Sequence, residues 1–356
     1  MDRMVCADPG SGDMTVTRAL VHLGPIKTGT TALSRYLTLT NKRGTTPKGI
    51  IYPTGDLWFG EDGDIVRQRN QLERLMRREF RPSRHRNDAS LPGSDVDVAL
   101  GKVAGALRST KLPTATAIFV VETGLPRFDP SHLDTVLRRH FEVVDYLFIA
   151  RRQDKLVSSM IAQHMKMWEK RWVTLNPRWE MSKIPRLRDF AALDYVAQYH
   201  RWADVVGPEH VIVVPYDEED QGSFGTIDRI FQFADLGLAP RVDGIEGLRI
   251  HPTFSSFGMK NLAWVKSIAR FAWIWPPFRP RLTAAWTPRW IKYHTQAIAG
   301  LPEDDGSPFT PWAMSTSDRQ WVMRRFLISN RKLRSMQSSH RESWDDWIRQ
   351  VEENSL

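Results

Sequence analysis

The chain has 356 residues, a length that allows one large α/β domain or two small ones. Of these residues 41% are hydrophobic and 26% are charged, a composition that excludes a disordered protein. Its single cysteine, Cys6, excludes an internal disulfide framework and a cysteine metal site. The formal net charge of +9 suits an anionic partner, whether nucleic acid, an anionic membrane or a ligand that carries phosphate or sulfate.

The N-terminal segment, residues 1–17, is polar and contains glycine, which predicts a flexible tail. It lacks the apolar core of a secretory signal, and no stretch of the sequence approaches the ~18 apolar residues of a membrane-spanning helix. We therefore expect a cytoplasmic protein. Residues 18–356 are expected to form a single domain, with a core at 18–240 and a helical region at 241–356.

Short apolar runs alternate with helical patterns along the first two thirds of the chain. This alternation predicts an α/β fold with a P-loop-like parallel sheet flanked by helices on both faces, followed by a mostly helical C-terminal part. The predicted strands are 19–23, 49–53, 117–121, 143–150 and 211–214. The predicted helices are 32–37, 64–79 and 95–107, two that begin near Asp129 and Asp154, and 187–206 and 316–353.

The turn after the first predicted strand has the residue types of an anion-binding loop. Gly24 and Gly29 have the Walker A spacing, but Thr30 stands where a loop that binds nucleoside triphosphates has lysine. The lysine is Lys27, inside the turn, where we expect it to lie near a group attached directly to a 5′ phosphate. Backbone N–H groups at the start of the following helix would bind the phosphate itself.

This loop, Lys27-Thr28-Gly29-Thr30-Thr31, resembles the 5′-phosphosulfate loop of the sulfotransferases that use 3′-phosphoadenosine 5′-phosphosulfate (PAPS), notably their bacterial and carbohydrate-type branch. A second segment carries the same resemblance. Arg151 ends a predicted strand, and Ser159 follows eight positions later on the next predicted helix, a spacing similar to the family's 3′-phosphate motif. The forked guanidinium of Arg151 suits a phosphate. Ser158 is the alternative to Ser159.

The resemblance implies transfer of a sulfuryl group from PAPS to a hydroxyl or amine of an acceptor, with adenosine 3′,5′-bisphosphate (PAP) as the other product. The core at 18–240 would then bind the nucleotide, and the region at 241–356 would include the acceptor side. Lys27 would stabilise the leaving phosphate, and residues 28–31 would hold it. The family uses histidine or glutamate as the base. Glu122 is the first choice here, because it follows a predicted strand and should lie at the carboxyl edge of the sheet. Its rivals are Asp56, His85 and His164.

Two other features bear on the site. His22 lies in a predicted buried strand, so we expect it only to pack, and no His or carboxylate spacing suggests a metal site. Residues 271–279 are aromatic and flanked by cations, which suits a wall that stacks against sugars or a contact with the membrane interface. Core packing or a dimer contact is the alternative. A saccharide or glycolipid acceptor, with peripheral contact at the inner face of the membrane, is the corresponding hypothesis.

Three other functions remain open on the sequence. A nucleotide kinase of the P-loop type would need the lysine that Thr30 replaces. A protein that binds PAP without turnover would keep both phosphate segments. A nucleic-acid-binding module is suggested by charge alone, and no zinc-finger, homeodomain or RNA-binding signature is present, so we expect no nucleic-acid partner.

Overall fold

The structure is a computed structural model that describes residues 15–25, 30–53, 95–121, 128–166, 193–216, 222–242, 315–337 and 340–355. The chain divides into two compact units. Unit 1 consists of Met1–Ala150 and Tyr195–Leu248, and unit 2 consists of Arg151–Asp194 and Arg249–Leu356. The predicted helix at 64–79 and the aromatic segment at 271–279 lie outside the described residues.

A five-stranded sheet with the order β2-β3-β1-β4-β5 organises the first unit. The pairings of β1 with β3, β1 with β4 and β2 with β3 are all parallel. The strands are β1 (Val16–His22), β2 (Ile50–Ile51), β3 (Thr114–Val120), β4 (Val143–Arg151) and β5 (Val211–Tyr216). Each predicted strand is present, because each short apolar run is buried in this sheet.

Helices connect and flank the strands. They are α1 (Thr30–Arg43), α2 (Asp95–Arg108), α3 (Pro130–Leu137), α4 (Gln153–Lys166), α5 (Tyr195–Val206), α6 (Gly222–Phe233), α7 (Thr316–Met336) and α8 (Arg341–Glu353). Together with the sheet they confirm the predicted α/β fold and its helical C-terminal part. None of the helices among the described residues is both long enough and apolar enough to cross a membrane.

The helices of unit 1 cover both faces of the sheet. Successive strand residues point to opposite faces. On one face, Tyr146 of β4 donates a hydrogen bond to Asp134 of α3 and stacks against Trp202 of α5. On the other face, Arg18 of β1 donates to the carbonyl that follows α6, and α6 contacts α1 through a ring pair, Tyr36 and Phe231. The face of α1 and α6 is thus opposite to the face of α3 and α5.

Local chemistry accounts for where α3 begins. The Asp129 carboxylate accepts hydrogen bonds from the backbone N–H groups of Ser131 and His132, and Pro130 occupies the first helical position. An N-terminal carboxylate satisfies donors that the helix leaves unpaired, and proline costs nothing at a position whose N–H has no helical partner.

The C-terminal part of unit 2 forms two helices where the sequence predicted one continuous helical stretch. The break lies between Met336 and Arg341, and His340, with a φ of 56°, is the residue before α8. The indole rings of Trp344 and Trp347 on α8 meet edge to face and are buried. Burying these two large rings requires the chain to turn back, which explains a break that no proline or glycine marks.

Candidate functional site

The segment that follows β1 lies between its neighbours at the carboxyl edge of the sheet. The Val121 N–H donates to the His22 carbonyl at 2.7 Å, and the Ile149 N–H donates to the Gly24 carbonyl at 3.3 Å. Strand pairing therefore continues up to the glycine that opens the loop. The residues after β1, after β3 and at the end of β4 all leave the sheet at this edge, because neighbouring parallel strands end on the same side.

This edge is also where the topology changes direction. The chain that leaves β1 enters α1 on one face of the sheet, and the chain that leaves β3 reaches α3 on the opposite face. Open parallel sheets bind ligands outside the carboxyl ends of the strands at such a point. The fold therefore places Gly24, Pro25 and Thr30, together with Val121 after β3, at the general position of a ligand site.

The first two turns of α1 contain two buried hydroxyl groups that bind nothing among the described residues. Thr30, the first residue of the helix, is 2% exposed, and Ser34, one turn later, is 5% exposed. Neither hydroxyl oxygen has a hydrogen-bond partner in the part of the chain that the structure describes. An unsatisfied buried hydroxyl costs about 1–3 kcal/mol, so a ligand or solvent partner is favoured. A helix N-terminus with such a hydroxyl suits an anion such as phosphate.

His22 is a third buried polar group near this loop. Its side chain is buried at the end of β1, and neither ring nitrogen has a partner among the described residues. Burial lowers the pKa of His22 to about 4, and an electrostatic effect of the residue's own backbone offsets that shift only in part. The imidazole is therefore neutral near pH 7, which makes it an unfavourable phosphate ligand there.

The second predicted segment belongs to unit 2. Arg151 is the last residue of β4, α4 begins at Gln153, and Ser159 is half-buried on that helix. The Ser158 hydroxyl donates to the Asp154 carbonyl at 2.8 Å, one turn earlier in the same helix. This bond occupies the proton of Ser158, so Ser159 is the better candidate of the two for an external anion.

Cationic side chains cluster at the start of α4. The buried Asp154 carboxylate accepts two hydrogen bonds from Arg152, at 3.2 and 3.1 Å, and lies 3.5 Å from the Arg319 guanidinium of α7. Burial lowers the pKa of Lys155, and the nearby cations Arg152, Arg319 and Arg151 lower it further, against the opposing effect of Asp154. A cluster of cations of this kind suits an anionic ligand.

Several predicted site residues cannot be placed. Of the first segment, Lys27, Thr28 and Gly29 lie outside the described residues, and Thr31 is described only as part of α1. The candidate bases Glu122, Asp56 and His85 also lie outside them, while His164 belongs to α4 without a described side chain. Within the described ranges, no cluster of three or more His, Cys, Asp or Glu side chains could hold a metal ion.

Sequence reasoning missed the contribution of α7. Arg319 and Asn330 contact the start of α4 although they are far from it along the chain. Arg319 looks like any charged residue near a helix start, and no local pattern says what the Asn330 side chain contacts. Only the folded chain brings them to this position.

Comparisons with known proteins add little to this geometry. No family model and no curated protein matches the chain. A solved structure described as a sulfotransferase from Alicyclobacillus acidocaldarius is similar to it at 15% sequence identity, covering 75% of this chain and 94% of the other, with a TM-score of 0.30. A likeness at this TM-score carries no weight in assigning an activity.

Proposed function

We propose that the chain is a sulfotransferase that moves a sulfuryl group from PAPS to a hydroxyl or amine of an acceptor. One observation carries the proposal. The lysine-containing loop at 27–31 follows the central strand of a parallel sheet and leads into a helix whose first residue, Thr30, has a buried hydroxyl with no partner among the described residues. These features fit a 5′ phosphate with one further group attached.

The second segment supports binding of a 3′ phosphate. Strand β4 is the direct neighbour of β1 and ends at Arg151, and the positively charged start of α4 follows it. PAPS differs from ordinary adenine nucleotides by carrying phosphate at both of these positions. We assign Arg151 and Ser159 to the 3′ phosphate and residues 27–31 to the 5′ phosphate.

The chemistry requires a charged lysine and a proton acceptor. Bound PAPS supplies a sulfuryl group on a phosphate leaving group. Lys27 is assigned to neutralise the charge that develops on that phosphate, and the amides and hydroxyls of 28–31 to hold it in place. Glu122 is assigned to accept the proton of the attacking hydroxyl or amine, because in the sequence it directly follows Val121, which leaves β3 at the carboxyl edge of the sheet.

The acceptor class that we propose is a saccharide or glycolipid. The support is the aromatic and cationic composition of residues 271–279, which suits stacking against sugar rings. Peripheral contact with the inner face of a membrane is part of the same hypothesis. A screen of saccharide, glycolipid, phenol and peptide acceptors with labelled PAPS would test it, and sulfation of phenols or peptides alone would contradict it.

Thermal stabilisation by nucleotides tests the proposed cofactor. PAP at about 100 times its dissociation constant should stabilise the protein by about 2.7 kcal/mol. Adenosine 5′-phosphate and ATP with Mg²⁺ at the same concentration should stabilise it much less. Equal stabilisation by PAP and adenosine 5′-phosphate would refute the 3′-phosphate site. A preference for ATP with Mg²⁺ would favour the kinase alternative, and PAP binding without transfer to any acceptor would favour the non-catalytic one.

The proposed role of Lys27 predicts a specific kinetic defect. Lys27→Ala should lower kcat about 10²- to 10³-fold, the usual effect of removing one transition-state donor. The variant should keep its melting temperature and most of its affinity for PAP. Lys48→Ala removes an exposed lysine between α1 and β2 and serves as the control. Wild-type kcat in Lys27→Ala would refute the assignment.

A further inference from the structure

Two fully buried amides join the start of α4 to the C-terminal helix α7. Gln153 and Asn330 are both 0% exposed. The Gln153 Nε2 donates to Asn330 Oδ1 at 2.8 Å, and the Asn330 Nδ2 donates back to Gln153 Oε1 at 2.9 Å. The second N–H of Gln153 is directed to the Leu193 carbonyl at 3.2 Å. The Gln153 amide therefore has a partner for its oxygen and for both of its hydrogens.

A reciprocal amide pair fixes geometry more strictly than apolar packing does. Apolar side chains of the same volume could fill this position with similar stability, because the net gain from a buried hydrogen bond is small. The pair instead specifies how the two helices are rotated and how far each has advanced along its axis, since any shift leaves a buried amide unsatisfied. The pair therefore fixes the position of α4 relative to α7 and adds little net stability.

Further contacts hold the same region. Arg319 of α7 lies 3.5 Å from Asp154, the residue after Gln153, and Asp154 is also bound by Arg152. Ser329, the neighbour of Asn330, donates instead to Asp194 at 2.6 Å, a bond of α7 that does not involve α4. Helix α7 thus holds the first turn of α4 at a point directly after Arg151 and before Ser159.

We propose that Asn330 is a positioning residue that, through Gln153, orients the start of α4 so that Arg151 and Ser159 together bind the 3′ phosphate. This inference rests on the proposed function, because it concerns the same nucleotide. Asn330 itself is not assigned any contact with the ligand. Its effect is on Arg151 and Ser159, which come before and after Gln153 in the chain. These two residues must be placed together for one phosphate to bind both of them.

The variant that tests this proposal is Asn330→Asp, which keeps the shape of the side chain and removes its N–H donors. The measurement is the ratio of affinities for PAP and adenosine 5′-phosphate, by calorimetry on the full chain. We expect the ratio to fall about tenfold or more in Asn330→Asp, the effect expected when hydrogen bonds to a charged group are misplaced, while the affinity for adenosine 5′-phosphate changes little. Ser329→Ala is the matched control, because it removes a bond of α7 that does not involve α4, and it should keep the wild-type ratio.

A merely structural role predicts a different pattern. It would lower the melting temperature of Asn330→Asp and leave the ratio unchanged, and that result would overturn the proposal. If Asn330→Asp does not fold, the double variant Gln153→Leu with Asn330→Leu replaces it, since two apolar side chains leave no side-chain amide unsatisfied. A wild-type ratio in the folded double variant would also overturn the proposal. Failure of the proposed function is distinct, because the wild-type protein would then show no preference for PAP.

Discussion

At the scale of single residues, His22 couples folding to pH. Its pKa is about 4 in the folded chain and 6.5 in an unfolded one, because burial disfavours the imidazolium. The unfolded chain therefore binds more protons than the folded chain between these values. The contribution of neutral His22 to the free energy of unfolding is fully present above pH 6.5 and is lost as the pH falls towards 4.

Replacing His22 should reduce this pH dependence. Between about pH 7 and pH 4.5, the wild-type protein should lose about 2–3 kcal/mol of unfolding free energy through His22 alone. His22→Leu removes the titrating group from a buried position, so its loss over the same interval should be smaller by that amount. Urea unfolding curves at the two pH values measure both losses. If both proteins lost the same unfolding free energy over this pH interval, the prediction would be wrong, because His22 would then take up protons equally in the folded and unfolded chains.

Local sequence suggests single site residues where a short pattern carries the chemistry. Lys27, Gly29 and Thr30 form such a pattern, and Arg151 ends a recognisable strand; their assignment to the nucleotide stays a prediction. No local pattern gives the contacts of Asn330 and Arg319 with α4, because only folding creates them. A list of binding residues from sequence therefore includes the residues of a loop more readily than the residues that support it.

At the scale of elements, a charged cluster ties β1, β4 and the segment before β5 together at the start of the sheet. Asp145 of β4 accepts hydrogen bonds from Arg18 at 2.6 Å and from His210 at 2.9 Å. The remaining donors of Arg18 include one directed to the Ala234 carbonyl after α6. The Asp145 carboxylate thus joins β1, β4 and the segment before β5, and Arg18 extends the cluster to the end of α6, well away from the carboxyl edge of the sheet.

Removing that carboxylate should be costly. Asp145→Ala leaves the Arg18 guanidinium largely buried without its counter-charge, and breaking a buried pair costs about 3–5 kcal/mol. Asp228→Ala is the control, because its ion pair with Arg241 is substantially exposed and should be worth about 0–1 kcal/mol. Chemical denaturation gives both values. Equal effects of the two substitutions would contradict a structural role for the Asp145 cluster.

Elements were predictable where the chain has a clear period. The buried strands are short apolar runs, and α3 has its N-terminal aspartate and proline. Helix α6 was not predicted, because it begins with two glycines within four residues, which weaken a helical pattern. It forms because Ile227, Ile230 and Phe231 are buried, and tertiary packing outweighs propensity.

At the scale of the whole molecule, the net charge of +9 should speed the binding of anionic nucleotides. The screening length falls from about 30 Å at 0.01 M ionic strength to about 3 Å at 1 M. The association rate constant of PAP should therefore fall by about tenfold or more over this range, while that of uncharged adenosine stays nearly constant. Stopped-flow fluorescence can compare the two ligands. A salt-independent rate for PAP would show that the overall charge has no part in capture.

The fold class was predictable from the alternation of apolar runs and helical patterns, since parallel strands need helices between them. The order of the strands was not, because periodicity does not say which strands become neighbours. The position of β1 between β3 and β4 results from pairing between segments far apart in the chain. That order is what brings the ends of β1 and β4 to one edge.

The distance along the chain between Gln153 and Asn330 has a consequence for biosynthesis. The two residues are separated by 177 positions, so a ribosome produces the glutamine long before its asparagine exists. Until then, the amide of Gln153 must stay hydrated, and the first turn of α4 cannot adopt its final burial. A nascent polypeptide that already contains every residue we assign to the nucleotide therefore completes the proposed 3′-phosphate site only late in translation, when α7 has emerged.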